Sequence, residues 1–383
     1  MPMTRRSILA AAGAAAGAAS VAPVALSGGA AATAPRKDLL AYERFVADRA
    51  ARDLFSGTIL VAHDGRPVLT RAYGLANRDR SIRNRPDTVF WLASITKTFI
   101  AVAVMRLVQQ GRLRLDDPIG AHLDGFPADA AAATVHHLLT HTSGIGRPPI
   151  GPRDPAEEAW ASFDEALAGT LAIVRRTPLQ FPPGTRHVYS NDGFSVLAAI
   201  VATVTGRSYV DHVRENVFVP AGMTSTAFIG RPDVLANDRV ARPYWTQPDG
   251  SRIDAATSPV MGYTAGPPGG AYSTAADLLA FVRALTSTKT GTLLAPCFVD
   301  VMTGGKVPTP LPVDLPAQAQ FYGYGHVETI LAGTRIVGHS GGGPGVATRL
   351  DVFPRSGWTS VVLGNYDTTI APIVAKAREL LTG

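Results

Sequence analysis

The chain has 383 residues, 46% hydrophobic and 17% charged, with a formal net charge of +6 and a single cysteine. This is the composition of a globular protein with a large core, and it excludes a disordered, collagenous or disulfide-stapled chain. No Lys/Arg run or basic–aromatic stripe occurs, so no nucleic-acid partner is expected.

The chain opens on "TRRSILAAAGAAAGAASVAPVALSGGAAATA". Arg5 and Arg6 precede a weakly apolar alanine-rich run and then small residues, the pattern of a twin-arginine export signal over residues 1–34. Its Ala and Gly content and Pro23 make a poor membrane-spanning helix, and it has no cysteine for a lipid anchor. The mature protein, residues 35–383, is therefore expected to be secreted, with no stable membrane anchor after cleavage, and monomeric.

Helical spacing follows over Asp38–Phe55, then two strands around the Asp64-Gly65 hairpin. The strongest helical pattern runs from Ser94 to Gly111, which stands as its C-terminal stop. Helices are also predicted over Pro155–Arg176, Asn191–Thr205 and Ser208–Phe218, with Pro/Gly-rich linkers between them. After about residue 265 comes a helix capped by Ser273 or Thr274, and "LLAPCFVDVM" reads as a helix with Cys297 buried. The runs "FYGYGHVETI", "TRIVGHS", "VATRLDVFP" and "TSVVLGNY" read as an antiparallel meander, and "IAPIVAKARELL" as a closing helix. Strands at both ends with helices between predict an α/β protein of the α+β type. One sheet lobe (about 35–92 and 266–383) would carry an inserted helical lobe (about 93–265), with a cleft between them.

"GHSGG" spells G-x-S-x-G, the nucleophile elbow of another hydrolase class, with Ser340 as the serine. That class needs a histidine downstream, and His339 is the last of nine; "GGGPG" also cannot start the required helix. A nucleophile is better sought in "WLASITKTF", where Ser94 and Lys97 stand three apart on one helix face. A helix N-terminus favours developing negative charge at the serine. The choice of lysine is informative in a chain with 31 Arg and 5 Lys, because a desolvated ammonium gives up its proton and a guanidinium does not. By itself the spacing also fits an exposed Ser and Lys. Tyr189 and Asn191 form the chain's one Tyr-x-Asn, in a turn before a helix. Tyr189 could act as a base if cations depress its pKa, and Asn191 could hold the lysine and a substrate amide. The alternative is an aromatic packed at a helix entrance with Asn191 as cap. His339, Ser340 and Gly341 end a predicted strand whose edge could pair with substrate, and the N–H groups of Gly342 and Ser94 could form an oxyanion hole.

Ser-x-x-Lys, Tyr-x-Asn and His-x-Gly in this order resemble the serine β-lactamase and DD-peptidase superfamily, above all class C β-lactamases, D-alanyl-D-alanine carboxypeptidases and related esterases. Supporting stretches such as "HHLLTHTSGI" and "FPPGTRHVYSNDGF" extend the resemblance from about Asp38 to Tyr366. It implies a five-stranded antiparallel sheet flanked by helices, with a helical lobe and the site between them. It makes Ser94 the acylated nucleophile, Lys97 its helper, Tyr189 the general base and then leaving-group acid, and Asn191 a substrate-positioning residue. His339 stands where many relatives carry lysine, so a strong β-lactamase is disfavoured.

Arg349, in the next strand, is read as an exposed strand residue rather than a replacement charge. His137 and His141 are read as structural rather than metal ligands, and Asp116 and Asp117 as turn residues. The expected activity is hydrolysis of a peptide amide or ester through an acyl-enzyme, D-alanyl-D-alanine carboxypeptidase-like, on a small-molecule or peptide substrate that includes cell-wall peptide. No metal or organic cofactor is called for. The alternatives are a small-ester carboxylesterase or acyltransferase, a weak β-lactamase, or a non-catalytic penicillin- or peptide-binding protein.

Overall fold

The computed structural model of the protein describes residues 36–146, 157, 159–287 and 293–383. The expected export signal lies outside them, as does part of the 155–176 helix prediction. Eight strands build one antiparallel sheet. The first two, β1 (Gly57–His63) and β2 (Arg66–Tyr73), come from the N-terminal part of the chain. The others are β3 (Val307–Pro308), β4 (Ala319–Tyr322), β5 (Val327–Leu331), β6 (Thr334–Gly343), β7 (Val346–Phe353) and β8 (Trp358–Gly364). Their spatial order is β3-β4-β5-β6-β7-β8-β1-β2, so the two ends of the chain meet where β8 pairs with β1.

The sheet is larger than the five strands expected. Part of the excess comes from "FYGYGHVETI", which is two strands around a turn and not one. Gly325 there has φ +66°, and a Cβ on it would lie 2.6 Å from the Ala101 side chain and 2.9 Å from the Lys97 carbonyl oxygen. The turn rests on the helix that carries Lys97, and only glycine allows that approach. At the β1–β2 hairpin Asp64 and Gly65 both take positive φ, as the Asp-Gly pair predicts.

Seven longer helices surround the sheet: α1 (Arg36–Ala51), α2 (Thr96–Gln109), α3 (Phe163–Arg176), α4 (Asn191–Thr205), α5 (Ala275–Thr286), α6 (Pro296–Thr303) and α7 (Ala371–Thr382). α1 and α7 cover one face, where Tyr42, Val46, Ile373 and Val374 pack on Ile59, Val61 and Phe353. The other face meets α2 and α5 across a second core. α2 is the centre of that core. Every residue from Thr96 to Met105 is buried, and Phe99 meets Phe218 and Phe281 edge-on at 5.0 Å. Each such aromatic or aliphatic side chain contributes about 1.5–3 kcal/mol by leaving water. α3 begins later than its sequence pattern suggests, because Ser162 accepts from the Glu165 N–H and caps it there.

Two sequence expectations are overturned. Cys297 is helical but exposed, because α6 turns Met302 and Thr303 inward and Cys297 lies about 140° around the helix from Met302. Arg349 is buried, not exposed. Along β7 side chains alternate, so Thr348 and Leu350 face α2 whereas Arg349 and Asp351 face α7. There Asp351 binds Arg349 at 2.6 Å and Arg378 of α7 at 2.8 Å.

Candidate active site

The chain enters the cleft at Ala93, whose φ of +46° is unusual for a residue with a Cβ. Ser94 follows in the single 3-10 turn Ala93–Ile95 that leads into α2, half-buried where its neighbours are buried. α2 itself starts at Thr96. The preceding carbonyl, Leu92 O, accepts from Thr348 Oγ1 at 3.0 Å. A Cβ at Gly341 would stand 2.1 Å from that oxygen, so a bare backbone at 341 is what lets β6 lie against the Ser94 turn.

Lys97 is fully buried one turn along, and its Nζ has three partners. Ser94 Oγ is at 3.0 Å, Asn191 Oδ1 at 2.8 Å and the Pro268 carbonyl oxygen at 3.2 Å. Burial, with no carboxylate beside it, holds the amine well below the usual lysine range. A neutral amine has two hydrogens and one lone pair. The amide and peptide oxygens only accept, so they take the two hydrogens, and the lone pair is left for the Ser94 hydroxyl. Asn191 is free to reach Lys97 because Ser190, not Asn191, caps α4: its Oγ accepts from the Gly193 N–H at 3.0 Å.

Tyr189 lies beside the Ser94 hydroxyl, which favours its ionised form, and its ring lies 4.8 Å from Lys97 Nζ. The sequence reading made its role as base depend on cations lowering its pKa. Burial raises it instead, outweighing the interaction with the Ser94 hydroxyl. Tyr189 is thus a phenol with a proton to give.

His339 is also buried and neutral. Its Nδ1 meets the Ser340 carbonyl oxygen at 2.6 Å, so it carries the proton, and its Nε2 accepts from the Tyr322 hydroxyl at 3.0 Å. Burial, the largest cause, pushes its pKa down to about 3. Both ring nitrogens are committed within the protein.

Ser94 and Gly342 are the two residues that border both cavities of the cleft. One cavity, of about 430 Å³, is walled by Tyr189, His187, Tyr322, Gln320, His339 and Ser340. The other, of about 340 Å³, is walled by Asn191, Trp91, Trp160 and the 262–269 segment. A carbonyl placed at their junction would have its acyl part on one side and its leaving group, beside the Tyr189 phenol, on the other. Pairing of β5 with β6 ends at Val327–Gly338, whereas β7 pairs on through Gly342–Ala347. Residues 339–343 therefore leave one backbone edge without a strand partner among the described residues beside this junction.

The structure brings together Ser94, Lys97, Tyr189, Asn191, His339, Ser340, Gly341 and Gly342. It keeps His137, Asp116 and Asp117 apart from them, whereas the His141 ring packs against Tyr189. His137 closes a capping box with Thr134, Asp116 and Asp117 bind Arg114 at an exposed turn, and no group of three metal-ligating side chains exists among the described residues. The Pro268 carbonyl and Tyr322 went unnoticed in the sequence. A backbone oxygen has no residue signature, and Tyr322 read as one more strand aromatic.

Known proteins carry the same arrangement of chain. "Esterase EstB" of Burkholderia gladioli is 34% identical over 70% of this chain and 74% of its own. "Putative penicillin-binding protein PbpX" of Bacillus subtilis is 35% identical, over 45% of this chain and 41% of its own length. The structure of the octameric penicillin-binding protein homologue from Pyrococcus abyssi superposes with a TM-score of 0.77 at 25% identity, covering 90% of this chain and 77% of the other. The sheet and helices around Ser94 are thus those of β-lactamase/transpeptidase-like serine hydrolases, and the model of one family, described as Beta-lactamase, matches residues 42–381: the chain belongs to the Beta-lactamase family.

Proposed function

We propose that the protein is an exported ester hydrolase that works through an acyl-enzyme at Ser94 and releases an uncharged leaving group. The observation that carries this reading is the cavity beside Tyr189. Its walls include no lysine, arginine, aspartate or glutamate among the described residues; burial lowers the pKa of both its histidines, His187 and His339, and His339 is doubly hydrogen-bonded. A leaving group that ends in a carboxylate, as D-alanine does, finds no fixed positive charge there. An alcohol or phenol needs none. The esterase relative supports the same choice.

The steps follow from the hydrogen bonds. The Lys97 lone pair takes the Ser94 proton as Oγ attacks the carbonyl carbon. The N–H groups of Ser94 and Gly342 hold the oxyanion. When the carbonyl re-forms and the ester C–O bond breaks, the Tyr189 hydroxyl protonates the departing oxygen. This leaves an ammonium and a phenolate that offset each other across the 4.8 Å separating Nζ from the ring. In the second half the phenolate takes a proton from water, hydroxide attacks the acyl carbon, and the Ser94 oxygen leaves with the proton from Lys97. All groups return to their starting states. An alcohol or amine in place of water would make the same cycle an acyl transfer.

D-alanyl-D-alanine carboxypeptidase action is the second reading, favoured by the penicillin-binding relatives. Intact mass and product release separate the two. Wild type and Ser94→Ala are incubated with a short p-nitrophenyl ester, an acyl-D-Ala-D-Ala peptide and a penicillin. The expected result is an acyl adduct on wild type alone and ester turnover far above peptide turnover. Faster release of D-alanine than of p-nitrophenol would overturn the ester reading. Penicillin labelling without turnover of ester or peptide would make the protein a binding protein. Export and a monomeric state belong to the same proposal. Sequencing the N-terminus of protein recovered from the medium, and its mass in solution, decide them, the octameric relative giving the second measurement its point.

A further inference from the structure

His141 combines three unusual features. Its backbone φ is +57°, in the left-handed region where the residue closing a short helix is commonly glycine, yet it carries a bulky side chain. It brackets Tyr189 on both sides: its carbonyl oxygen accepts from the Val188 N–H at 3.0 Å, and its Nδ1 accepts from the Ser190 N–H at 3.1 Å. Its ring is 1% exposed and lies against Tyr189 at 4.4 Å, Tyr322 at 4.5 Å and Phe194 at 5.1 Å between centroids.

Because Nδ1 accepts, the imidazole proton sits on Nε2, and that N–H has no hydrogen-bond partner among the described residues. A buried donor left without an acceptor is costly, and beside a group that gains negative charge it can be used. Here the neighbouring group on which charge would appear is Tyr189, which becomes a phenolate once it protonates the leaving group.

We infer that His141 is a positioning residue for the reaction: it fixes Tyr189 through the Val188 and Ser190 amides and offers a preorganised N–H dipole to the phenolate formed there. The inference rests on the acyl-enzyme reading above. Its metal-ligand alternative does not arise, since the ring faces aromatic groups and no cluster of His, Cys, Asp or Glu completes a site among the described residues.

The test is His141→Asn in the full-length protein. Asparagine tolerates the left-handed backbone and keeps an acceptor near the position of Nδ1, so Ser190 stays held, but the Nε2–H is gone. Active sites are counted from the burst of p-nitrophenol, and kcat is expressed per counted site, which loss of folded protein alone does not move. The expected result is a kcat lower by about tenfold or more, with KM within about threefold of wild type. An unchanged kcat per site would overturn the inference. Should the variant not fold, nitrogen-15 NMR of wild-type histidines serves instead. A proton on Nε2 of His141 is required, and one on Nδ1 sinks the proposal. Failure of the underlying reading looks different, for then the wild type itself gives no Ser94 adduct.

Discussion

Lys97, on the α2 side of the large sheet, is buried among neutral oxygens, whereas Arg349 and Arg378, on the α7 side, are as deeply buried and share the carboxylate of Asp351. The depth is the same and the chemistry opposite. Without an anion beside it, the lysine sheds charge, and burial turns an ammonium into a base. The guanidinium groups, which cannot give up their protons, share the Asp351 carboxylate and tie α7 to β7. Burial opposes the charge on Asp351 too, but Arg349 and Arg378 outweigh it and hold the carboxyl below its ordinary value. Residue type and partner together decide whether a buried cation serves reactivity or architecture.

The comparison breaks first at Lys97→Arg. Arginine keeps the positive charge and cannot lend a lone pair to Ser94, so kcat should fall by about 10³-fold or more. Steady-state hydrolysis of a p-nitrophenyl ester checks this, and near-wild-type turnover would mean that Lys97 acts through its charge. On the other face, Asp351→Asn leaves two guanidinium groups without their anion. Unfolding in urea should show a loss of about 3–5 kcal/mol, while kcat per counted active site stays unchanged. A fall in kcat per site would couple the two faces.

The smallest effect sharpens the account of His339. Its pKa is about 3 when folded and near 6.5 when unfolded, so between those values the unfolded chain binds the extra proton. Stability contributed by the neutral ring is complete above pH 6.5 and is lost as pH falls towards 3. His339→Asn should remove up to one proton from that slope, at most about 1.4 kcal/mol per pH unit. Urea midpoints from pH 7 to pH 4 measure it. An unaltered slope would mean that His339 titrates normally in the folded protein.

Much of this was legible in the sequence. Ser94 and Lys97 are legible because a separation of three brings two side chains to one helix face, and because Tyr189–Asn191 and His339 follow in order; the strands from Thr334 to Gly364 are legible because a sheet repeats every two residues. Gly111 ends α2 with φ +67°, and Thr274 caps α5, as their residue types predict. What escaped depends on contacts from far along the chain. Periodicity puts Arg349 on one face of β7 but does not say that α7 covers that face with Arg378. Nor does it say that "FYGYGHVETI" must fold back where Gly325 meets α2, or that Cys297 lies on the outer side of α6.

The sequence by itself thus determined which residues could do chemistry and which elements would carry them, because local spacing and residue type act over a few positions. The tertiary structure alone decided their protonation. Only folding removes water from Lys97, sets the carbonyl of Pro268 and the amide of Asn191 against it, and shuts His339 between Tyr322 and its own backbone. A pKa is set by desolvation and by neighbours, and neither exists until distant segments have packed.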